Sequence, residues 1–271
     1  MNNFSGEPPI PSLESRTKHR ESYKPIMERF LRIGKTYGVR FFDDKSIDDL
    51  LYLHRIMMNP SVQQKMTEME EVIKDWKHRW WKKQKNVYVE EDLREWMKQQ
   101  GTDCTEVLLA IAEKPHIINS ENPPVNTDSP EYKSEVHGYV YIYESAIDKE
   151  MLKLFGSLPQ DFTGSIMETS SGKYEHAPKG VGIEGRILAL AVYRDFYCKK
   201  FHTQVPPIFI TEVAEDNLGA IKSVVASGYE QIGSYQPPIT KTSSPEDLKL
   251  SLVFKLNWET HAEALMSLTN R

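Results

Sequence analysis

The stretch Lys179 to Glu184, KGVGIE, stands directly before GRILALAVYRDFY, a run in which Ile187, Leu188, Ala191 and Val192 recur on one face of a helix. Glycines at a helix N-terminus let backbone N–H groups approach an anion closely, and the helix dipole adds about half a positive charge there. Lys179 and Arg186 are the cations that would strengthen such a site for a pyrophosphate. A glycine-rich helix start also serves plain packing, so the stretch alone leaves both uses open. No other constellation competes with it: the eight histidines show no metal-ligand spacing, and there is neither a Ser or Cys nucleophile motif nor an internal repeat.

A second stretch, Ile210 to Gly233, reads ITEVAEDNLGAIKSVVASGYEQIG. Ile208 to Val213 alternates as a strand, and Asp216-Asn217 stops it and caps a helix. Ala220, Ile221, Val224 and Val225 give that helix an apolar stripe, and Gly228 stands where a C-cap needs positive φ. Tyr229, Ile232 and Tyr235 follow in an extended run. By itself this is an ordinary strand-helix-strand unit.

Its spacing is more particular. An asparagine at a strand end, Ala-Ile at the third and fourth positions after it and Gly-aromatic at the eleventh and twelfth resemble the C-terminal motif of the GNAT family of acyl-CoA-dependent N-acetyltransferases. The pattern is closest to the subfamily that acetylates ribosomal-protein N-termini, and RFFDDKSIDDLLYLHRIMMNPSVQQKM resembles the opening of that subfamily. The resemblance implies a six- or seven-stranded mixed, mainly antiparallel sheet flanked by helices, an α/β (α+β) fold with a cleft between the fourth and fifth strands. It implies acetyl-CoA as co-substrate and a primary amine as acceptor, whether a protein N-terminus, a lysine or a small molecule.

The family's phosphate loop runs Arg or Gln, two residues, Gly, one residue, Gly or Ala, then the helix. Lys179, Gly182 and Glu184 occupy those positions, with Gly180 and Gly185 in addition. The implied cofactor residues are therefore Lys179, Gly180, Val181, Gly182, Ile183, Glu184, Gly185 and Arg186, with Asn217 toward the pantetheine arm or the phosphates. A carboxylate aimed at a pyrophosphate repels it, so Glu184 must turn away or the loop must shift by one residue. Where many members carry a tyrosine acid, seven residues after the asparagine, this chain has Val224; Ser223 or Tyr229 could substitute, or the thiolate could leave with water. For a base, Glu168, Glu144, His137 and His176 fall near the implied cleft strands, with Glu168 the foremost.

Other elements must position these groups. Ile26 to Lys35 suggests a short helix, and Val39 to Phe42 a first strand. Ser46 caps a helix with Leu50, Leu51, His54, Met57 and Met58 as its stripe, ended at Asn59-Pro60. Glu106 to Glu113 and Val136 to Tyr143 read as strands, with Pro115 to Tyr132 an excursion between them. Glu90 to Gln100 and Ile147 to Leu158 read as helices. Ser165 to Thr169 is expected as a strand, Ser170 to Lys173 as a turn and Tyr174 to His176 as a second strand. Leu248 to Leu256 alternates as the last strand before a helix at Thr260 to Leu268.

The 271 residues suffice for one large domain, taken as 37–258, with an N-terminal extension over 1–36 and a C-terminal helix or tail over 259–271. A formal net charge of −5 argues against an obligate nucleic-acid or acidic-membrane partner. Cys104 and Cys198 stand far apart, and no apolar stretch of membrane-spanning length occurs, so a soluble cytoplasmic protein is expected. Glu68 to Lys85 sets Ile73, Trp76, Trp80 and Trp81 among lysines; it reads as an amphipathic helix or, alternatively, as a patch for RNA or an anionic substrate. The expected function is acetyl transfer to an amine, with a catalytically inactive GNAT-like module and an RNA- or ribosome-associated protein as alternatives.

Overall fold

A computed structural model describes residues 27, 29–43, 46–57, 106–114, 116–117, 132–144, 153–155, 166–173, 176–235 and 250–269. Ten strands and four longer helices follow one another within them. They are β1 (Phe30–Ile33), β2 (Tyr37–Phe41), α1 (Ile47–Met57), β3 (Glu106–Glu113), β4 (His116–Ile117), β5 (Tyr132–Lys133), β6 (Val136–Glu144) and β7 (Ile166–Lys173). The chain continues with α2 (Val181–Lys200), β8 (Ile208–Ala214), α3 (Leu218–Ala226), β9 (Tyr229–Tyr235), β10 (Ser251–Leu256) and α4 (Trp258–Thr269).

Eight strands form one sheet in the order β1-β2-β3-β6-β7-β8-β10-β9, while β4 and β5 make a separate small ladder. All neighbours in the sheet are antiparallel except β7 and β8, which are parallel. A parallel neighbour needs a crossover, and α2 is that crossover. The expected mixed, mainly antiparallel α/β sheet is thus present, with one strand more than the six or seven expected. The extra strand is β1, where Ile26, Phe30 and Ile33 suggested a helix. Pairing of Phe30 with Arg40 and Ile33 with Gly38 overrides that spacing, because a short helix gains little without a packed face. The sheet therefore begins inside the stretch read as an extension. It also moves the parallel pair from fourth and fifth to fifth and sixth place.

Period-two alternation sends odd-numbered β7 and β8 residues toward α2 and even-numbered ones to the opposite face. On the α2 face a single apolar core runs across the whole sheet, through Val39, Leu109, Ile142, Met167, Phe209 and Phe254, and meets Leu188, Val192 and Tyr193 of the helix. On the opposite face the core is broken. Leu50 and Leu53 of α1 cover Leu108, Ala110, Tyr139 and Tyr141, whereas Ile166 and Ile210 form a separate group with Phe155. The Ser46 cap is present, its hydroxyl accepting from Asp49 N at 3.3 Å, but the expected α1 stripe is corrected at Leu51, which is exposed, with Leu53 turned inward instead, because Leu53 stands three residues after Leu50 and shares its face.

Three further expectations change. β7 continues unbroken to Lys173, so Ser170 to Lys173 is strand rather than turn, held by Ser170↔Tyr141 and Lys173↔Gly138 pairing. α2 begins at Val181, not after Glu184, so most of the glycine-rich loop is the first helical turn. In α3, Val224 is buried but Val225 is exposed. Gly228 has φ 96° as expected, and a side chain there would strike the His261 backbone. The Trp-Lys stretch Glu68 to Lys85, the helix at Glu90 to Gln100 and most of Ile147 to Leu158 lie outside the described residues.

Candidate active site

β7 and β8 pair over only three rungs: Ile166↔Ile208, Met167↔Phe209 and Glu168↔Ile210. Beyond Glu168, β7 keeps its bonds to β6 and β8 keeps its bonds to β10, but no ladder joins the two strands to each other. The sheet therefore carries a parting whose apex is Glu168 and whose edges are unpaired backbone. One side-chain bond spans it, from Thr211 Oγ1 to the Thr169 carbonyl at 3.0 Å.

On the face opposite α2, the parting is polar. Glu168 is 9% exposed, and its cross-strand neighbour is Tyr143. Burial first, then the Glu168 carboxylate and the hydrogen bond to it, hold the Tyr143 phenol well above its ordinary pKa. Glu212, two residues past the last rung on β8, accepts the Tyr235 hydroxyl at 2.6 Å and adds to the same effect on Tyr143. Two carboxylates and two phenols thus converge between the two apolar groups that the described residues form on this face. Such a group can take a proton from a cationic amine.

The α2 face holds the other half. Gly180 caps the helix at φ 92° with no side-chain capping bond. Its carbonyl takes the Ile183 and Glu184 N–H groups at 3.1 and 2.9 Å, leaving the Val181 and Gly182 N–H groups with no partner among the described residues. The first turn of a 20-residue helix thus presents the Gly182 N–H with the positive end of the dipole, while Val181 is buried. Lys179 and Gly180 are exposed beside it. Gly185 lets this turn lie on β3, since a Cβ there would overlap Ile111.

Glu184, the acidic departure in the loop, is turned inward. Its Oε1 accepts from Thr36 N at 2.7 Å and Tyr37 N at 3.0 Å, in the turn between β1 and β2. Its carboxylate therefore does not face the open helix end, and the loop needs no shift. Asn217 caps α3, accepting from Ala220 N at 3.3 Å. Val224 is buried in the core on the α2 face and carries no proton to donate. Ser223 lies beside Gly182, its hydroxyl 3.6 Å from where a Cβ would stand, at the helix mouth and not at the apex.

Tyr229 is buried, its hydroxyl 3.0 Å from Thr169 Oγ1. Burial pushes its phenol up to about 12, against the opposing pull of Thr169 and Arg186. Arg186 is also buried, its Nη2 donating to Ser171 Oγ at 2.5 Å. The remaining base candidates lie apart from the apex. His137 Nε2 is bound to Glu113 Oε1 at 2.8 Å, His176 is exposed on the turn before α2, and Glu144 is exposed at the β6 end. Tyr143, Glu212, Tyr235, Thr169 and Ser171 were not singled out from sequence. Strand alternation carries the signal for them, but only once the registers of β6, β7 and β8 are known.

Neither a family model nor a curated protein matches the chain. Among solved structures, it is similar to yncA from Salmonella typhimurium with its cofactor acetyl-CoA, at 12% identity and a TM-score of 0.45, over 82% of this chain and 93% of that one. It is similar to a GNAT-family acetyltransferase from Bacillus anthracis at 13% identity and a TM-score of 0.41, over 84% and 98% of the two chains. A ribosomal-protein-alanine N-acetyltransferase from Brucella melitensis shares 16% identity at a TM-score of 0.42, over 80% and 97%. Among the described residues, no helix is long and apolar enough to cross a membrane and no group of three or more His, Cys, Asp or Glu could hold a metal ion.

Proposed function

We propose that the chain is a GNAT-type N-acyltransferase that moves an acetyl group from acetyl-CoA to a primary amine by direct attack in a ternary complex. The observation that carries this reading is the parting of β7 and β8 at Glu168, with a carboxylate-phenol group on one face and an uncapped helix N-terminus on the other. The pyrophosphate belongs at the Gly182 N–H with Lys179 beside it, and Glu184 and Asn217 hold the two helix starts in place. The pantetheine arm then runs along the unpaired edges toward the apex, where a β7 backbone N–H beyond Glu168 meets the thioester oxygen.

The amine nitrogen bonds to the carbonyl carbon, the C–S bond breaks, and the proton shed by nitrogen passes to Glu168. The thiolate leaves as such and takes up its proton from bulk solvent after release. Tyr229 is buried with its hydroxyl bonded to Thr169 Oγ1, and burial raises its phenol to about 12, which makes it a poor proton donor to a thiolate. Glu184, one of the two departures that favour an inactive module, is taken up by its bonds to the β1-β2 turn, while Val224 packs in the core and leaves the leaving group without a side-chain acid from that position. The acceptor is an amine on a protein or a small molecule, met on the Tyr143-Glu168-Glu212 face.

Calorimetric titration of acetyl-CoA into the wild type and Gly182→Glu tests the reading. A Cβ at Gly182 meets only Ser223 at ordinary contact distance, so the substitution fits the fold and places a carboxylate at the helix mouth. Micromolar binding lost in Gly182→Glu supports the site; a wild type that binds neither acetyl-CoA nor free CoA sinks it.

A further inference from the structure

Arg186 lies in the second turn of α2 with 5% of its surface exposed. One nitrogen, Nη2, donates to Ser171 Oγ, while Nε and Nη1 are buried with no partner among the described residues. A guanidinium keeps its proton in proteins, so this is a buried cation with two open donors. Among the described residues, no carboxylate is bonded to it. The adjacent Glu184 is bound to the β1-β2 turn, and Glu168 lies on the opposite face of β7 from Ser171. The groups around Arg186 are hydroxyls: Ser171 itself, and Tyr229, which is bonded to Thr169. Ser171 and Thr169 both stand past the last rung shared with β8, so Arg186 lies beneath the parting.

The open helix mouth and Arg186 are separate places. Five residues at about 1.5 Å each set Arg186 roughly 7.5 Å further along the axis than Val181. A pyrophosphate held by the first-turn N–H groups leaves the guanidinium unanswered, and the pantetheine arm and an acetyl group bring no charge. What does answer it is a carboxylate, whose two oxygens match the guanidinium fork.

Resting on the acyltransferase reading above, we propose that Arg186, with the hydroxyls of Ser171 and Tyr229, forms an anion site at the acyl end of the cofactor cleft. The preferred donor is then an acyl-CoA whose acyl group ends in a carboxylate, of the malonyl or succinyl class. Transfer of that group leaves the bond changes as described, with the distal carboxylate held by Arg186 and the product amide carrying it.

The test is calorimetric titration of the full chain with free CoA, acetyl-CoA, malonyl-CoA and succinyl-CoA. In the wild type, one of the two carboxyacyl thioesters binds at least tenfold more tightly than acetyl-CoA, and in Arg186→Met that ratio falls to about one. Arg186→Lys, which keeps the charge and loses the fork, gives an intermediate ratio. Equal wild-type affinity for all three thioesters overturns the proposal and leaves the acyltransferase reading standing, and it does so even if the variants fail to fold. An equal loss for free CoA and every thioester in Arg186→Met overturns it too, since Arg186 then serves the part of the cofactor common to all. A wild type that binds no form of CoA overturns both.

Discussion

Glu168 owes its place to register. It is the last β7 residue that pairs with β8, so its side chain leaves the sheet where the two strands cease to share a ladder, beside the Tyr143 phenol. Glu168→Gln keeps the shape and removes the proton acceptor. Turnover with any accepted amine should fall by roughly 100- to 1,000-fold while the dissociation constant for acetyl-CoA stays within about twofold. Turnover unchanged in that variant would assign the base to another residue. His261 makes a different prediction, about stability. It is fully buried; its Nδ1–H donates to the Ser227 carbonyl at 3.1 Å and its Nε2 has no partner among the described residues. Burial first, opposed by that bond and aided by Arg194 and Arg32, lowers its pKa to about 4. The unfolded chain therefore takes up this proton first. The contribution is complete above about 6.5 and is lost as pH falls toward 4, an effect of roughly 3 kcal/mol. Denaturant melts at pH 7.5 and 4.5 should show a wild-type loss larger than that of His261→Met by about that amount.

At the scale of elements, what was legible was local. The β8-α3-β9 unit could be read because each of its boundaries has a residue with a reason: Asn217 accepts the Ala220 N–H, and Gly228 takes a positive φ that a side chain could not share with His261. β3 was legible in full, since EVLLAIAE is buried on both faces. β7 was not. Its Ser170 to Lys173 reads as a turn, and only pairing with Tyr141, Val140, Tyr139 and Gly138 of β6 keeps it extended. The candidate site followed the same division: Asn217, Gly182 and Glu168 were visible as single residues, whereas the phenols around Glu168 depend on long-range register. Glu184 shows how a departure from a motif can be structural. Its two bonds to the Thr36 and Tyr37 amides tie the start of α2 to the β1-β2 turn. Glu184→Ala leaves both amides unanswered and should cost about 2 to 4 kcal/mol in a denaturant melt. It should also weaken acetyl-CoA several-fold by loosening the helix mouth. If instead the carboxylate repelled the cofactor, the same substitution would tighten binding.

The whole molecule is two antiparallel sheets joined at one short parallel seam. β1, β2, β3, β6 and β7 form one, β8, β10 and β9 the other, and three rungs connect them. The α2-face core spans the seam through Met167, Phe209 and Tyr193, so the halves are held chiefly by one layer of apolar packing and by α2, while the opposite layer is interrupted there. Polar groups at a sheet parting are affordable only where something else bridges the strands. A ligand lying between the unpaired edges would bond both halves at once, which the folded chain can accept and the unfolded chain cannot. Acetyl-CoA at about 100 times its dissociation constant should then add roughly 2.7 kcal/mol, a rise in Tm of several degrees. The location of the effect matters more than its size. Amide hydrogen exchange should slow at Thr169 to Lys173 of β7 and Thr211 to Ala214 of β8, on the edges that lack a ladder partner, as well as at Val181 and Gly182. Slowing confined to the helix start would mean that the nucleotide end binds while the arm stays out of the parting, and would leave Glu168 without a thioester to act upon.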